Sequence, residues 1–211
     1  MLLRFLGHAA FDLTLGGVRF CLDPHKPGAL NGRFQLPEIV GPFAAILHTH
    51  WHEDHAAWTP ALGTANVVDS EGVFRGVELR SRAVFHDTVA GRQAGLVRMI
   101  SLRAEGVRVV HCGDIGAFDP ADVAWLQGTT VLLVPAGGKY TLGPREACEL
   151  ALQSAALAVV PMHCADARVD LPLAPVDAFF AAWSGAVAAA PSIDNAALAA
   201  LNCPTAFTLS A

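Results

Sequence analysis

Charge is scarce in this chain of 211 residues: Asp, Glu, Lys and Arg make up 16% of it. Hydrophobic residues make up 53%. That balance excludes a disordered chain, which needs high charge and little to bury. Long apolar runs are also missing. "AAILHTH" and "TTVLLVPAGG" break after a few residues, well short of the roughly 20 that a membrane helix needs. The start, "MLLRFLGHAAFDLTLGG", has no apolar stretch of signal-peptide length before Gly7 and His8. No membrane association and a cytoplasmic location are therefore expected. No CxxC occurs, and the five cysteines (Cys21, Cys112, Cys148, Cys164 and Cys203) are an odd number. Free thiols in a reducing compartment fit that count better than a complete disulfide framework. A large positive charge is absent too. The formal net charge of −5 does not suit broad capture of nucleic acid.

What is present is enough apolar residue for one core, so a single domain over 1–211 is expected. The first half reads as short strands, with Gly16-Gly17 marking a hairpin between "DLTL" and "VRFCL" and a second hairpin near Glu105-Gly106. Residues 24–42 are rich in Pro and Gly and read as a loop, where His25 is expected to be solvated. "FAAILHT" reads as a buried strand, "AAWTPALG" as a short helix ending at Gly63, and the range from about 65 to 112 as more short strands. In the second half, "DPADVAWLQG" and "GPREACELALQSAA" have helix caps and spacing. "TTVLLVPAGG", "LAVVPMHC" and "TAFTLS" read as strands. Residues 174–200 hold two more Ala-rich helical stretches. Strands come first and βαβα later, which indicates a layered α/β or α+β sandwich. A short internal echo, "GVRFCLD" and "GVRVVHCGD", repeats a Gly turn followed by a strand ending in Asp.

The segment "HTHWHEDH", residues 48–55, carries the chemistry. His50, His52 and Asp54 are spaced by two, so they share a side only on extended or looped backbone. The strand before them supplies that backbone. A zincin helix needs two His four apart, and here His52 and His55 are three apart. The segment is neither terminal nor repetitive, so it is no tag. A metal site at a strand end remains, with imidazole and carboxylate donors suited to zinc, iron or manganese. Three His and one Asp in six residues exceed what one tetrahedral ion takes from so short a stretch, so two ions fit, completed from elsewhere.

"THWHEDH" resembles the T-H-x-H-x-D-H signature of the metallo-β-lactamase superfamily. "FLGHAAFDLTLGG", "LDP", "FHD", "VVHCGDIG", "VPAGGKYTLGPREA" and "VVPMH" follow in the order of a bacterial branch that includes L-ascorbate-6-phosphate lactonase-like proteins. The resemblance covers roughly residues 2 to 165. It implies a four-layer αββα sandwich with the site at the shared edge of its halves. It implies that His50, His52 and His86 hold one ion and Asp54, His55 and His163 a second, with Asp114 bridging. His8 and Asp23 match recurrent positions that hydrogen-bond ligands or touch substrate. Lys139 and Tyr140 follow a strand end that borders the cleft, where substrate contact and an ordinary loop role are both open. His48 and His111 sit beside ligands in structural roles. Cys21, Cys112 and Cys164 lie near site residues and read as small buried hydrophobes rather than ligands.

The implied reaction is hydrolysis of a small ester, lactone or phosphorylated substrate by a metal-bound hydroxide, with Asp54 and Asp114 as the catalytic carboxylates. Two ions per chain are implied, zinc first, with manganese or iron as alternatives. The partner is a small-molecule substrate. No nucleic acid is expected, there being no room for an added nuclease domain or tRNA-gripping arm, and a homo-oligomer is left open. Two rival readings use the same fold. An iron-dependent oxidoreductase or dioxygenase is one, although diiron relatives place Glu where His52 stands. A non-catalytic metal-binding protein is the other, although its expected mark, a lost ligand, is absent.

Overall fold

The computed structural model of the chain describes residues 1–63, 66–68 and 70–211. Its first sheet contains β1 (Leu2–Gly7), β2 (Ala10–Leu15), β3 (Val18–Leu22), β4 (Ala45–Leu47), β5 (Asn66–Val67) and β13 (Ile193–Asp194). Their spatial order is β13-β1-β2-β3-β4-β5. The second sheet contains β6 (Gly72–Phe74), β7 (Val77–Phe85), β8 (Leu96–Ala104), β9 (Val107–His111), β10 (Val131–Pro135), β11 (Ala158–Met162), β12 (Ala186–Ala190) and β14 (Thr205–Leu209). They run in the order β12-β14-β11-β10-β9-β8-β7-β6. The strands from β12 to β9 are parallel, and those from β9 to β6 antiparallel. The start of the expected strand range, residue 65, lies outside the described residues.

Both expected hairpins form. Leu15 pairs with Val18 around Gly16 and Gly17, at φ 57° and 74°. Ala104 pairs with Val107 around Glu105 and Gly106, at φ 53° and 77°. Two consecutive positive φ values match the right-handed twist of the flanking strands. These turns start the two strands of the sequence echo. β3 and β9 lie in opposite sheets, and each delivers an Asp, Asp23 or Asp114, just past its end.

Alternation fixes which side chains meet. On β10, Val131 and Leu133 face the core between the sheets, and Leu132 and Val134 face outward. Phe11, Leu13, Phe20, Ile100, Leu102 and Val160 fill the same inner layer. The outward residues are covered by α2 (Pro120–Leu126), α3 (Pro144–Ser154) and α4 (Val176–Ala182), through Leu126, Leu150 and Phe179. The α2 start expected from "DPADV" is a full capping box, with Asp119 and Asp122 each accepting from the other's backbone N–H. Outside the first sheet the cover is thinner. Ala10, Cys21 and Ile46 pack against Ile39 and Phe43, from an irregular segment, and Leu62, from a short 3₁₀ turn.

Two local expectations are corrected, and a third is met with an added strand. After His55 only Pro60–Leu62 coils, as a 3₁₀ turn. Thr59, before the proline, is extended at φ −129° and ψ 152°, because the proline ring disfavours helix at the preceding residue. The two Ala-rich helical stretches expected within 174–200 form as α4 and α5 (Asn195–Ala199), and Ala186–Ala190 between them is an additional strand. Pairing along β14, from Ala186↔Thr205 to Ala190↔Leu209, overrides the helix preference of alanine. His25 is buried at 1% exposure, with Nε2 on the carbonyl of Pro37, rather than solvated. Among the described residues, no helix is long and apolar enough to cross a membrane.

Candidate metal centre

The signature segment leaves β4 at Leu47 and is pinned at once. Thr49 donates from its backbone N to Asp23 Oδ1 (2.7 Å) and from Oγ1 to Asp23 Oδ2 (2.6 Å). Its carbonyl accepts from the Arg98 amide at 3.0 Å. The backbone N–H groups of His55 and Ala56 both donate to the carbonyl of His52, at 3.0 Å, closing a turn. His48 Nδ1 donates to the carbonyl of His55 at 3.0 Å, a structural role. The loop thus presents His50 and His52 to one place and Asp54 and His55 to another.

His50, His52 and His86 form the first group. His52 Nδ1 lies 3.0 Å from His50 Nε2 and 3.4 Å from His86 Nε2. A tetrahedral ion with bonds of about 2.0–2.1 Å sets its ligands about 3.3 Å apart, so the three nitrogens fit one. The far nitrogens of two of these rings are occupied. His86 Nδ1 donates to the carbonyl of Tyr140 at 3.0 Å, and His50 Nδ1 meets Thr49 Oγ1 at 2.9 Å. His8, Asp54, His55 and His163 form the second group, all buried. His8 Nε2 lies 3.2 Å from Asp54 Oδ2. The sequence placed His8 beside the ligands, and the structure brings it within the donor cluster itself.

Asp114 sits between the groups. Its Oδ2 is 3.8 Å from His50 Nε2, 3.7 Å from His86 Nε2, 3.3 Å from His55 Nε2 and 3.2 Å from His163 Nε2. The preceding Gly113, at φ 56°, allows this approach, because a Cβ there would lie 2.8 Å from the Cβ of Thr49. Asp23 accepts from His55 Nδ1 at 2.9 Å, which leaves His55 Nε2 toward the site. His55 Nε2, His163 Nδ1, His8 Nδ1 and Asp114 Oδ1 are buried without a hydrogen-bond partner. Each such atom costs about 1–3 kcal/mol. Of these, His55 Nε2 faces Asp114 across the site, and beside nitrogens at ligand spacing it fits a centre whose remaining bonds go to metal ions.

Charge follows the same geometry. Burial, reinforced by His163, lowers the His8 imidazole to about 3, and burial with His55 lowers His50 to about 3. Both are neutral at physiological pH, the form that binds metal. Burial opposes ionisation of Asp114, but His163 and His55 outweigh it and hold its carboxyl well below the usual range. Asp23 is likewise pulled to about 2 against its burial, by His111 and His55. His55 shifts upward despite burial, because Asp114 and Asp23 surround it.

His111 does not join either group. Its Nε2 donates to the carbonyl of Ala9 at 2.8 Å, and its Nδ1 accepts from the Gly113 amide at 3.0 Å, so both nitrogens are used. Cys21 and Cys112 are buried in apolar clusters, and burial raises both thiols. Burial also pushes Cys164 up to about 12. None has the lowered thiol pKa of a ligand or nucleophile.

The groups open into a cavity of about 880 Å³. Lys139 and Tyr140 line it, as do Arg33, Trp51, Glu53 and Asp87, which the sequence reading passed over. Asp87 stiffens one rim by accepting the backbone N–H groups of Val89, Gly91, Gln93 and Ala94. Another part of the lining comes from α1 (Ala29–Gly32), a single left-handed turn in which Leu30 and Asn31 have φ 53° and 58°. That conformation costs roughly 1–2 kcal/mol per non-glycine residue.

The family model of the β-lactamase superfamily domain matches residues 2–163. A UPF0173 metal-dependent hydrolase of Methanoregula boonei is 32% identical over 190 residues, 77% of this chain and 82% of its own length. A second, from Pyrobaculum aerophilum, is 30% identical over 192 residues, 77% and 84% of the two chains. A solved Thermotoga maritima structure, assigned as a Zn-dependent hydrolase of the metallo-β-lactamase superfamily, is 25% identical. It covers 99% of both chains with a TM-score of 0.73. The chain belongs to the metallo-β-lactamase superfamily, and its homologues there are metal-dependent hydrolases. Within the superfamily, its curated relatives carry the UPF0173 name, which specifies no substrate.

Proposed function

We propose that this chain is a dinuclear metallohydrolase, with zinc the first choice of ion, acting on a small ester, lactone or phosphorylated substrate. The observation that carries the reading is the position of Asp114 Oδ2, within 3.8 Å of nitrogens from both groups. His50, His52 and His86 would hold one ion. Asp54, His55 and His163 would hold the other, with His8 against Asp54, and Asp114 would join them. Divalent ions bound there supply Lewis acidity, lowering the pKa of water toward about 7 and polarising a carbonyl or phosphoryl oxygen.

The chain's own residues do the rest. Asp23 fixes the tautomer and direction of His55, and the Tyr140 carbonyl does so for His86. Asp54 and Asp114 are the site carboxylates that would accept a hydrogen bond from an attacking water. Arg33 and Lys139 line the mouth, and neither has an ion pair among the described residues. Both can therefore receive an anionic group on the substrate, which supports the phosphorylated option. The cavity volume falls in the range of small-molecule sites, and the net charge of −5 favours no nucleic acid.

The test is turnover by metal-analysed protein against a panel of lactones, aryl esters and phosphodiesters. We expect two ions per chain and hydrolysis in at least one class. Two bound ions with no turnover in any class would turn the reading toward a non-catalytic metal-binding protein.

A further inference from the structure

The turn α1 is anchored at its flanks and exposed at its tip. Ala29, Phe34 and Leu36 are buried against Val169, and the Gly28 amide donates to the Phe34 carbonyl at 2.8 Å. The tip, residues 30–32, holds two side-chain-bearing residues in a left-handed conformation that they rarely adopt. Among the described residues, the hydrogen bond that reaches this tip from outside the turn comes from Glu53. Its Oε2 accepts from the Leu30 amide at 2.8 Å. Glu53 stands in the signature segment between His52 and Asp54, yet belongs to neither ligand group. Leu30, Asn31 and Arg33 line the cavity together with His52, His86 and Asp114.

We propose that Glu53 is a positioning residue for the substrate-facing wall. It ties the tip of α1 to the loop that presents the metal ligands, and so sets Leu30, Asn31 and Arg33 at a fixed distance from the reacting centre. The hydrogen bond needs an acceptor oxygen and no charge, so a glutamine serves in its place and an alanine does not. Loss of the tie releases the wall and leaves the ligand groups intact. The kinetic consequence rests on the hydrolase reading, and the structural one does not.

The experiment uses metal-loaded wild type, Glu53→Ala and Glu53→Gln, with ion content measured in each. Amide hydrogen exchange across residues 28–34 is the deciding readout. We expect exchange at Leu30 to speed up about tenfold in Glu53→Ala with both ions retained, and to stay within about twofold in Glu53→Gln. On a substrate from the panel, KM of Glu53→Ala should rise about five- to tenfold while kcat changes less than about twofold. Unchanged exchange in Glu53→Ala, fast exchange in Glu53→Gln, loss of ions, or a fall in kcat at constant KM would each overturn the proposal. Absence of turnover across the whole panel would remove the hydrolase reading, and the exchange result would still decide the role of Glu53.

Discussion

The two ligand groups share one loop and differ in almost everything else. His50, His52 and His86 offer nitrogens alone, and His52 is exposed at the cavity mouth. His8, Asp54, His55 and His163 are buried and include a carboxylate. The first is steadied by a threonine hydroxyl and a backbone carbonyl, the second by the buried Asp23 carboxylate. A fixed charge held out of water binds a cation more strongly than neutral donors in water do. The buried group should therefore hold its ion more tightly, and the open group should exchange its ion with solvent and present it to substrate. Sheet order explains why one carboxylate lies near both. His163 follows β11, His86 follows β7, and Asp114 follows β9, which lies midway between them with one strand on either side.

The largest effect should come from Asp114→Ala, which removes a carboxylate that lies within 3.8 Å of nitrogens from both groups. We expect activity to fall to background and both ions to weaken. The loss should exceed the roughly 10–100-fold that attends removal of a residue which only orients ligands. Full occupancy of both sites in that variant, measured by metal analysis, would break the bridging assignment.

Paired variants sharpen the comparison itself. His86→Ala leaves His50 and His52 as the imidazoles of the open group, so its ion should be lost while the buried one largely stays. His163→Ala should do the reverse. Metal titration of both purified proteins checks this. Loss of both ions together in both variants would mean that the two groups act as one site.

How much of this could be read beforehand varied with the range of the interaction. The hairpins at Gly16-Gly17 and Glu105-Gly106, the cap at Asp119 and the spacing of His50, His52 and Asp54 are local, so neighbouring residues announce them. The grouping with His86, Asp114 and His163 came from resemblance to a family, because no local rule links strand ends so far apart. Tertiary pairing decided Ala186–Ala190, where composition pointed to helix. The place of His8 depends on its φ of 56° and on the approach of Asp54, 46 residues away. The tie from Glu53 to Leu30 spans 23 residues and leaves no sequence signal. His111 and His86 looked alike as strand-end histidines. They differ only in what occupies their second nitrogen, which is visible in the fold alone.

The smallest effect we expect is on stability, and it asks whether the two groups answer acid alike. His50 lies in the open group and His8 in the buried one, yet burial lowers both to about 3. In the unfolded chain each takes up a proton near pH 6.5. Between about 6.5 and 3 the unfolded state therefore binds more protons, and stability falls as pH falls. His55 is shifted upward, so its contribution is already complete below 6.5 and adds no slope in that window. Asp23, held at about 2, adds its own loss only below about 4. Metal-free protein should thus lose about 5–10 °C in Tm between pH 6.5 and 4.5. His50→Gln and His8→Gln should each flatten that fall by a similar amount, since burial is the leading cause in both. A flat Tm in the wild type would show that these imidazoles are not held neutral. Flattening by one variant alone would show that burial separates the two groups in acid as it does in their exposure to the cavity.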